Sequence, residues 1–314
     1  MHILLLGAGA LGSLFAARLQ SAGCRPALYG LNTDHLQVVA ENGLLVHELD
    51  GSRSCWQLRV YMASQHIDPS PDLVLVLVKS YATGEAVSSI LPFCHEQTVF
   101  VTVQNGMGNW EQIAEHIPAS RILAGVTAQA ATMIEPGLIR HGGSGPTVLG
   151  AVHDPGPAEL PELVRLLNQA GLDCEATGRV DDHIWAKLFV NIGINAVTAL
   201  TAVPNGWISE CGPAREVAEA AVLEAMEVAK ARGSHPEADT VERVMRVAQA
   251  TALNHSSMLQ DVQGARRTEV EAINGIICRW GQECGVSTPV NMVLRNLVQV
   301  TEQKNQDREK RSKA

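Results

Sequence analysis

Lys187, Asn191 and Asn195 stand at i, i+4 and i+8 in a run, residues 183–203, that is otherwise apolar on nearly every side. At about 100° per residue, each step of four along a helix drifts only about 40°, so the three side chains form one polar stripe. A buried helix has no structural use for an ammonium and two amides in line. Each costs roughly 1–3 kcal/mol if left unpaired, and the charge more. Either the stripe caps loops and pairs with neighbouring helices, or it faces a cleft and holds a small polar ligand. A carboxylate belongs to the same question. Ile273, Ile276 and Trp280 fall within about 40° of Glu269 on a helical projection, which puts Glu269 on the inward face of a helix expected over 267–284. There it faces the cleft of Lys187, or it serves the helix dipole or Arg266. A lysine in an apolar cleft tends to lose its proton, and a facing carboxylate opposes that loss. Thr268 with Glu271 has the spacing of a capping box.

The second constellation is Gly7-Ala8-Gly9-Ala10-Leu11-Gly12, between an apolar strand, His2–Leu6, and a helical stretch, Ser13–Ala22. In that setting Gly7 permits the tight turn. Gly9 lets the backbone approach a pyrophosphate, and Gly12 lets helix and strand pack closely. The helix N-terminus offers free N–H groups and the positive end of its dipole. After a second strand, Pro26–Tyr29, the chain reads Gly30-Leu31-Asn32-Thr33. An acid there reads a ribose 2′-hydroxyl and an arginine accommodates a 2′-phosphate. Neither is present, and Asn32 and Thr33 suit either, so the local chemistry leaves NAD and NADP both open. Lys79 and Asn105 follow two more apolar strands, Asp72–Val78 and Thr98–Val103. Ligands of open parallel sheets bind at such strand ends, so both residues are expected to line the cofactor site. For Asn105-Gly106, plain turn chemistry competes.

The elements that must position these groups fit two domains, the usual outcome for 314 residues. Gly43–Leu49 and Gln57–Met62 read as a pair of extra strands. Arg121–Thr127, Leu138–His141, Thr147–Val152 and Asp173–Thr177 read as later ones, with a helix over Pro157–Ala170. From Asp181 on only helices fit, over 182–201, 213–232, 237–252, 267–284 and Val290–Thr301, ending in a solvated or frayed polar tail, Thr301–Ala314. The domain boundary falls near 178–181. Hydrophobic residues are 46% and charged ones 18%, as in ordinary globular chains. A net charge of -9 gives no footprint for nucleic acid or an anionic membrane. Seven scattered cysteines favour reduced thiols and a cytoplasmic setting. No metal-ligand spacing occurs, no signal peptide is evident, and no apolar run of membrane-spanning length is free of a charge or amide.

At Gly7–Gly12, Gln104–Gly108, Lys187–Asn195, Pro204-Asn205-Gly206 and Ser256-Ser257-Met258-Leu259-Gln260-Asp261 through Glu269, the chain resembles the ketopantoate reductase (2-dehydropantoate 2-reductase) family, in order and over essentially its whole length. The resemblance implies an α/β Rossmann-type NADP-binding domain over 1–179. An all-α substrate and catalytic domain over 180–314 would follow, like the C-terminal domain of 6-phosphogluconate dehydrogenase. It implies reduction of 2-dehydropantoate to (R)-pantoate with NADPH, on the way to pantothenate and coenzyme A. Lys187 would give the proton to the ketone oxygen, and Glu269 would contact the cofactor or orient Lys187. Asn191, Asn195, Asn205 and Ser257 would bind the substrate, and Asn105 would lie where substrate and cofactor meet. Gly7, Ala8, Gly9, Ala10, Leu11, Gly12, Asn32, Lys79 and the backbone near Ala131 would hold the cofactor. Leu31 stands where the family commonly carries an arginine for the 2′-phosphate, so NAD is not excluded. The expected partner is a small 2-oxo acid, with no nucleic acid or membrane, for a monomer or homodimer. Another small 2-oxo acid as substrate, or an NADP(H) sensor without turnover, are the alternatives.

Overall fold

All four residues of Ile3–Leu6, of Leu73–Val76 and of Val99–Thr102 are buried, as strands covered on both faces must be. They lie side by side in the first of two units seen in the computed structural model: Met1–Gln104 with Asn109–Val180, and Asn105–Gly108 with Asp181–Ala314. The structure describes residues 1–313 except Asn32 and Ser64, with side chains through residue 308.

In chain order the first unit carries β1 (Ile3–Leu6), α1 (Ala10–Ser21), β2 (Ala27–Gly30), α2 (Asp34–Asn42), β3 (Leu44–His47), β4 (Arg53–Trp56), β5 (Arg59–Met62), β6 (Leu73–Val76), α3 (Thr83–Ile90) and β7 (Val99–Thr102). It continues with α4 (Asn109–Ala114), β8 (Ile122–Thr127), β9 (Ala130–Glu135), β10 (Leu138–Gly143), β11 (Thr147–Ala151), α5 (Leu160–Gln169) and β12 (Cys174–Ala176). Eight strands form one sheet in the order β12-β11-β8-β7-β6-β1-β2-β5, and four form another, β4-β3-β10-β9. From β5 across to β8 the main sheet is parallel, and β11 runs antiparallel to β8. The chain leaves β1 toward β2 on one side and returns to it at β6 on the other. That reversal is the switch point at which open α/β sheets bind ligands.

Two expectations change here. Gly43–Leu49 and Gln57–Met62 each hold the expected strand, but in different sheets: β3 pairs with β4 and β10, whereas β5 joins the edge of the main sheet beside β2. Strands β4 and β9 were not foreseen. Both are half-exposed edge strands, and neither Arg-Ser-Cys-Trp nor Ala-Ala-Thr-Met-Ile-Glu alternates cleanly.

The second unit is helical: α6 (Val180–Thr201), α7 (Trp207–Glu210), α8 (Gly212–Ala231), α9 (Thr240–Ala250), α10 (Ser257–Gln263), a π-turn (Glu271–Gly275), α11 (Ile276–Cys284) and α12 (Pro289–Lys313). Leu188, Ile192 and Ala196 of α6 join Val222 and Ala225 of α8, Val244 of α9 and Ile277 of α11 in one core. Fully burying each large aliphatic side chain stabilises by roughly 1.5–3 kcal/mol. Gly193 lets α6 and α9 approach, since a Cβ there would stand 2.5 Å from Val244 Cγ1. Among the described residues α6 alone is long and apolar enough to cross a membrane, and 67% of its most apolar window is buried inside the protein.

The helix expected from 267 instead begins as a π-turn at Glu271, and Glu269 precedes it. No capping box forms. Thr268 Oγ1 accepts from the N–H of Val270, while Glu271 turns to Arg295. The polar residues after Thr301 continue helix α12 to Lys313, and most of the described ones are exposed, so this end is solvated and helical rather than frayed.

Candidate active site

The first unit supplies a glycine turn whose open side is made of backbone. Gly7 has φ +120°, and a Cβ on it would stand 2.5 Å from the nitrogen of Val78. A Cβ on Gly12 would stand 2.0 Å from the carbonyl oxygen of Gly7. Gly9 differs: it is exposed, a Cβ there would meet nothing within 4 Å, and it caps α1 without any side chain. The open side of the loop therefore lies where the unsatisfied amides at the start of α1 point. Ala8, Ala10 and Leu11 line the same turn, half-buried. These features fit a pyrophosphate.

The strand ends beside this loop are Leu31 after β2, Lys79 after β6 and Gln104 after β7. Leu31 is 75% exposed, with Asp34 in the first turn of α2. Gln104 ties the end of β7 to the turn after β6 and the start of α3, its Nε2 donating to Val78 O (2.6 Å) and Thr83 Oγ1 (2.9 Å). Ala131 sits on β9, at the edge of the smaller sheet, paired with His141. Asn32 lies outside the described residues. Sequence reasoning missed His35. Its Nδ1 accepts from the N–H of Gly137 (3.0 Å), so the ring proton sits on Nε2, which donates to Ser13 Oγ (3.0 Å). Burial pulls the His35 pKa down, which keeps the ring neutral and this junction of α1 and α2 intact.

The second unit carries the groups able to do acid–base chemistry. Lys187 is partly buried on α6. Burial of its ammonium pulls the pKa down to about 8, while the attraction of the Glu269 carboxylate pulls the other way. Glu269 is itself only 7% exposed. Arg266, the competing partner, is engaged by Asp261 at 3.1 Å.

One and two turns along α6, the Nδ2 atoms of Asn191 and Asn195 are buried without a hydrogen-bond partner, as is the Oδ1 of Asn205. Native interiors leave few such atoms unmet, and each one asks for a reason. Asn205 is held through both backbone and side chain. Its N–H donates to Asn254 O (2.9 Å), its Nδ2 donates to Thr251 Oγ1 (3.0 Å), and the next residue, Gly206, packs so tightly that a Cβ would stand 2.8 Å from that of Ala252.

Thr198, three residues past Asn195, donates from Oγ1 to Ser256 Oγ at 2.8 Å. Ser256 is the buried N-cap of α10 and accepts from the N–H of Leu259, which leaves Ser257 exposed at the first position of that helix. The segment Asn105–Gly108 belongs to this unit. The N–H of Met107 donates to Ala272 O at 3.0 Å, and Gly106 lies so close that a Cβ would stand 2.4 Å from the same oxygen. The π-turn thus receives the Asn105 loop. Such turns recur at functional sites.

Comparison with known proteins agrees with this geometry. Residues 3–154 match the family described as "Ketopantoate reductase PanE/ApbA", and residues 179–302 match "Ketopantoate reductase PanE/ApbA C terminal". The chain is 37% identical to a 2-dehydropantoate 2-reductase of Halobacterium salinarum over 306 residues, 96% of this chain and 99% of that one. Among solved structures it resembles a D-mandelate dehydrogenase with NADH and anilino(oxo)acetate, with a TM-score of 0.92 and 26% identity over 98% of this chain and 100% of that one. It also resembles a PanE/ApbA family ketopantoate reductase from Ralstonia eutropha, with a TM-score of 0.87 and 29% identity over 98% and 100% of the two chains.

Proposed function

The chain belongs to the ketopantoate reductase family, and from that premise we propose that it reduces the ketone of 2-dehydropantoate to the alcohol of (R)-pantoate, with NADPH. The step is an oxidoreductase reaction at a CH–OH carbon, in the supply of pantothenate and coenzyme A. The observation that carries this reading is Lys187 on the helix whose next two turns hold buried amide nitrogens without partners, in the field of the buried Glu269 carboxylate.

A bound dihydronicotinamide supplies the hydride. In the first unit Gly7, Ala8, Gly9, Ala10, Leu11 and Gly12 would hold the pyrophosphate of that cofactor, with Lys79 and Ala131 for the rest; family likeness adds Asn32, Asn105 and Glu269 as candidates. Hydride arrival leaves negative charge on the ketone oxygen. Lys187 Nζ stabilises that charge and transfers a proton to it, an acid contribution of about 10²–10⁴-fold. Glu269 holds the proton on Lys187 until then. Asn191, Asn195, Asn205 and Ser257 bind the substrate's carboxylate and hydroxyl, so the amide atoms left unmet find their partners on the ligand. Replacing Lys187 with Ala is expected to lower kcat by about 10²–10⁴ while dinucleotide affinity stays within a few-fold. Unchanged turnover would refute the role.

A second reading has a specific basis. The likeness to D-mandelate dehydrogenase with NADH, together with Leu31 and Asp34 and no arginine or lysine across residues 26–35, favours another 2-oxo acid and NADH. Rates with NADPH and NADH, each against ketopantoate and an aryl 2-oxo acid, separate the two. The first reading expects ketopantoate with NADPH to give the highest kcat/KM.

A further inference from the structure

One face of α12 grips the backbone around Glu269. Its inward positions recur at Asn291, Leu294, Arg295, Val298, Gln299 and Glu302, that is i, i+3, i+4, i+7, i+8 and i+11, a single stripe. Leu294 and Val298 are buried apolar packing. The four polar members all bond to the segment 268–275. Asn291, fully buried, accepts at Oδ1 from Asn274 Nδ2 (3.0 Å) and donates to Ala221 O and Glu224 Oε2. Arg295 Nε and Gln299 Nε2 donate to Glu271 Oε1 at 2.7 and 2.5 Å. Glu302 Oε1 accepts from both the backbone N–H (2.7 Å) and the hydroxyl (2.5 Å) of Thr268.

Packing of α12 needs only its apolar members. Four directional contacts on one short segment fix something finer. A Cβ on Gly275 would stand 2.4 Å from Glu271 Oε2, so a glycine keeps room for the Glu271–Arg295 pair. Residues Glu271–Gly275 of the segment form a π-turn, a rare backbone form. It begins two residues after Glu269 and presents Ala272 O to the Asn105 loop.

We propose that this polar face of α12 positions Glu269 for its action on Lys187, with Glu302, through Thr268, as the decisive contact. The proposal rests on Lys187 being the proton donor. Glu302 touches no reacting atom; it is a positioning residue. The charge acting on Lys187 is Glu269, while Arg266 and Arg295 are taken up by Asp261 and Glu271.

The test is the single-turnover rate of ketone reduction against pH for the wild type, Glu302→Ala and Glu302→Gln. The wild-type rate is expected to fall as pH rises through about 8. Alanine frees Thr268, weakens the hold of Glu269 on the Lys187 proton, and moves that fall about half a unit or more to lower pH. At pH 6 its rate approaches the wild type's. Glutamine keeps an accepting oxygen but loses the charge, and is expected to follow the wild type. Thr268→Val keeps the backbone bond to Glu302 but removes both hydroxyl bonds, to Glu302 and from the N–H of Val270; it is expected to shift the fall in the same direction and guards against a poorly folded alanine variant. A loss of rate equal at every pH, an alanine profile that coincides with the wild type, or alanine and glutamine shifting alike would each overturn the proposal. No wild-type fall near pH 8 would instead overturn the proton-donor reading itself.

Discussion

Gly9 has nothing within 4 Å of the place a Cβ would occupy, whereas Asn195, on a helix rich in leucine, isoleucine and alanine, has a buried amide nitrogen with nothing to bond. The two sites are built from opposite materials. The glycine loop, the cradle of the proposed dinucleotide site, leaves side chains out, so that backbone N–H groups and a helix end are open to an anion. The proposed site on α6 puts side chains in, where their desolvation is costly and a ligand would relieve the cost. Substitutions should therefore act in opposite senses: adding atoms damages the cradle, and removing polarity from α6 stabilises the protein while disabling it.

The largest effect that separates the two is at the glycines. Gly12→Ala forces a Cβ to within 2.0 Å of Gly7 O; overpacking of about 1–3 kcal/mol or more is expected to lower both Tm and dinucleotide affinity. Gly9→Ala is expected to change stability by less than about 0.5 kcal/mol yet weaken dinucleotide binding about tenfold, an affinity change of about 1.4 kcal/mol. Titration of dinucleotide fluorescence alongside thermal unfolding reads both. A stability loss at Gly9 would break the contrast.

On α6 the expectation reverses. Asn195→Leu removes an unmet buried amide, and is expected to raise stability by about 1 kcal/mol while raising the substrate KM tenfold or more, with dinucleotide affinity unchanged. Steady-state kinetics and unfolding on the same preparation test this, and a fall in Tm would mean that the amide serves the fold. The smallest effect is at the rim of the cradle. Leu31→Arg adds a cation beside Asp34 and is expected to shift the preference toward NADPH by about tenfold or less, about 1.4 kcal/mol. Competition between the two dinucleotides measures it, and an unchanged ratio would place the 2′-position elsewhere.

The same contrast explains what could be read from the sequence. Strands β1, β6 and β7 were legible because a strand buried on both faces must be apolar throughout. The polar stripe on α6 was legible because it violates its surroundings. Which sheet β5 joins was not legible, since alternation marks a strand and not its neighbour. The π-turn was hidden because a five-residue segment cannot separate an i+4 from an i+5 repeat. Glu302 and Asn305 read as part of a solvated tail because they lack apolar neighbours in sequence. Their partners are backbone groups of Thr268 and Val262, 34 and 43 residues away, which no local pattern reveals. Ser256 and Ser257 are adjacent and alike, and only the hydrogen bond from Thr198 tells cap from exposed neighbour.

The central claim is that the lysine of α6 hands over the proton, and its pH dependence tests that claim most directly. The donor must be charged, so single-turnover reduction of ketopantoate is expected to be full below the Lys187 pKa and to fall as pH rises through about 8. In Lys187→Arg, whose guanidinium keeps its charge beyond pH 12, the remaining rate is expected to lose that fall altogether. A rate that stays level through pH 8 in the wild type, or the same fall in both proteins, would contradict the claim.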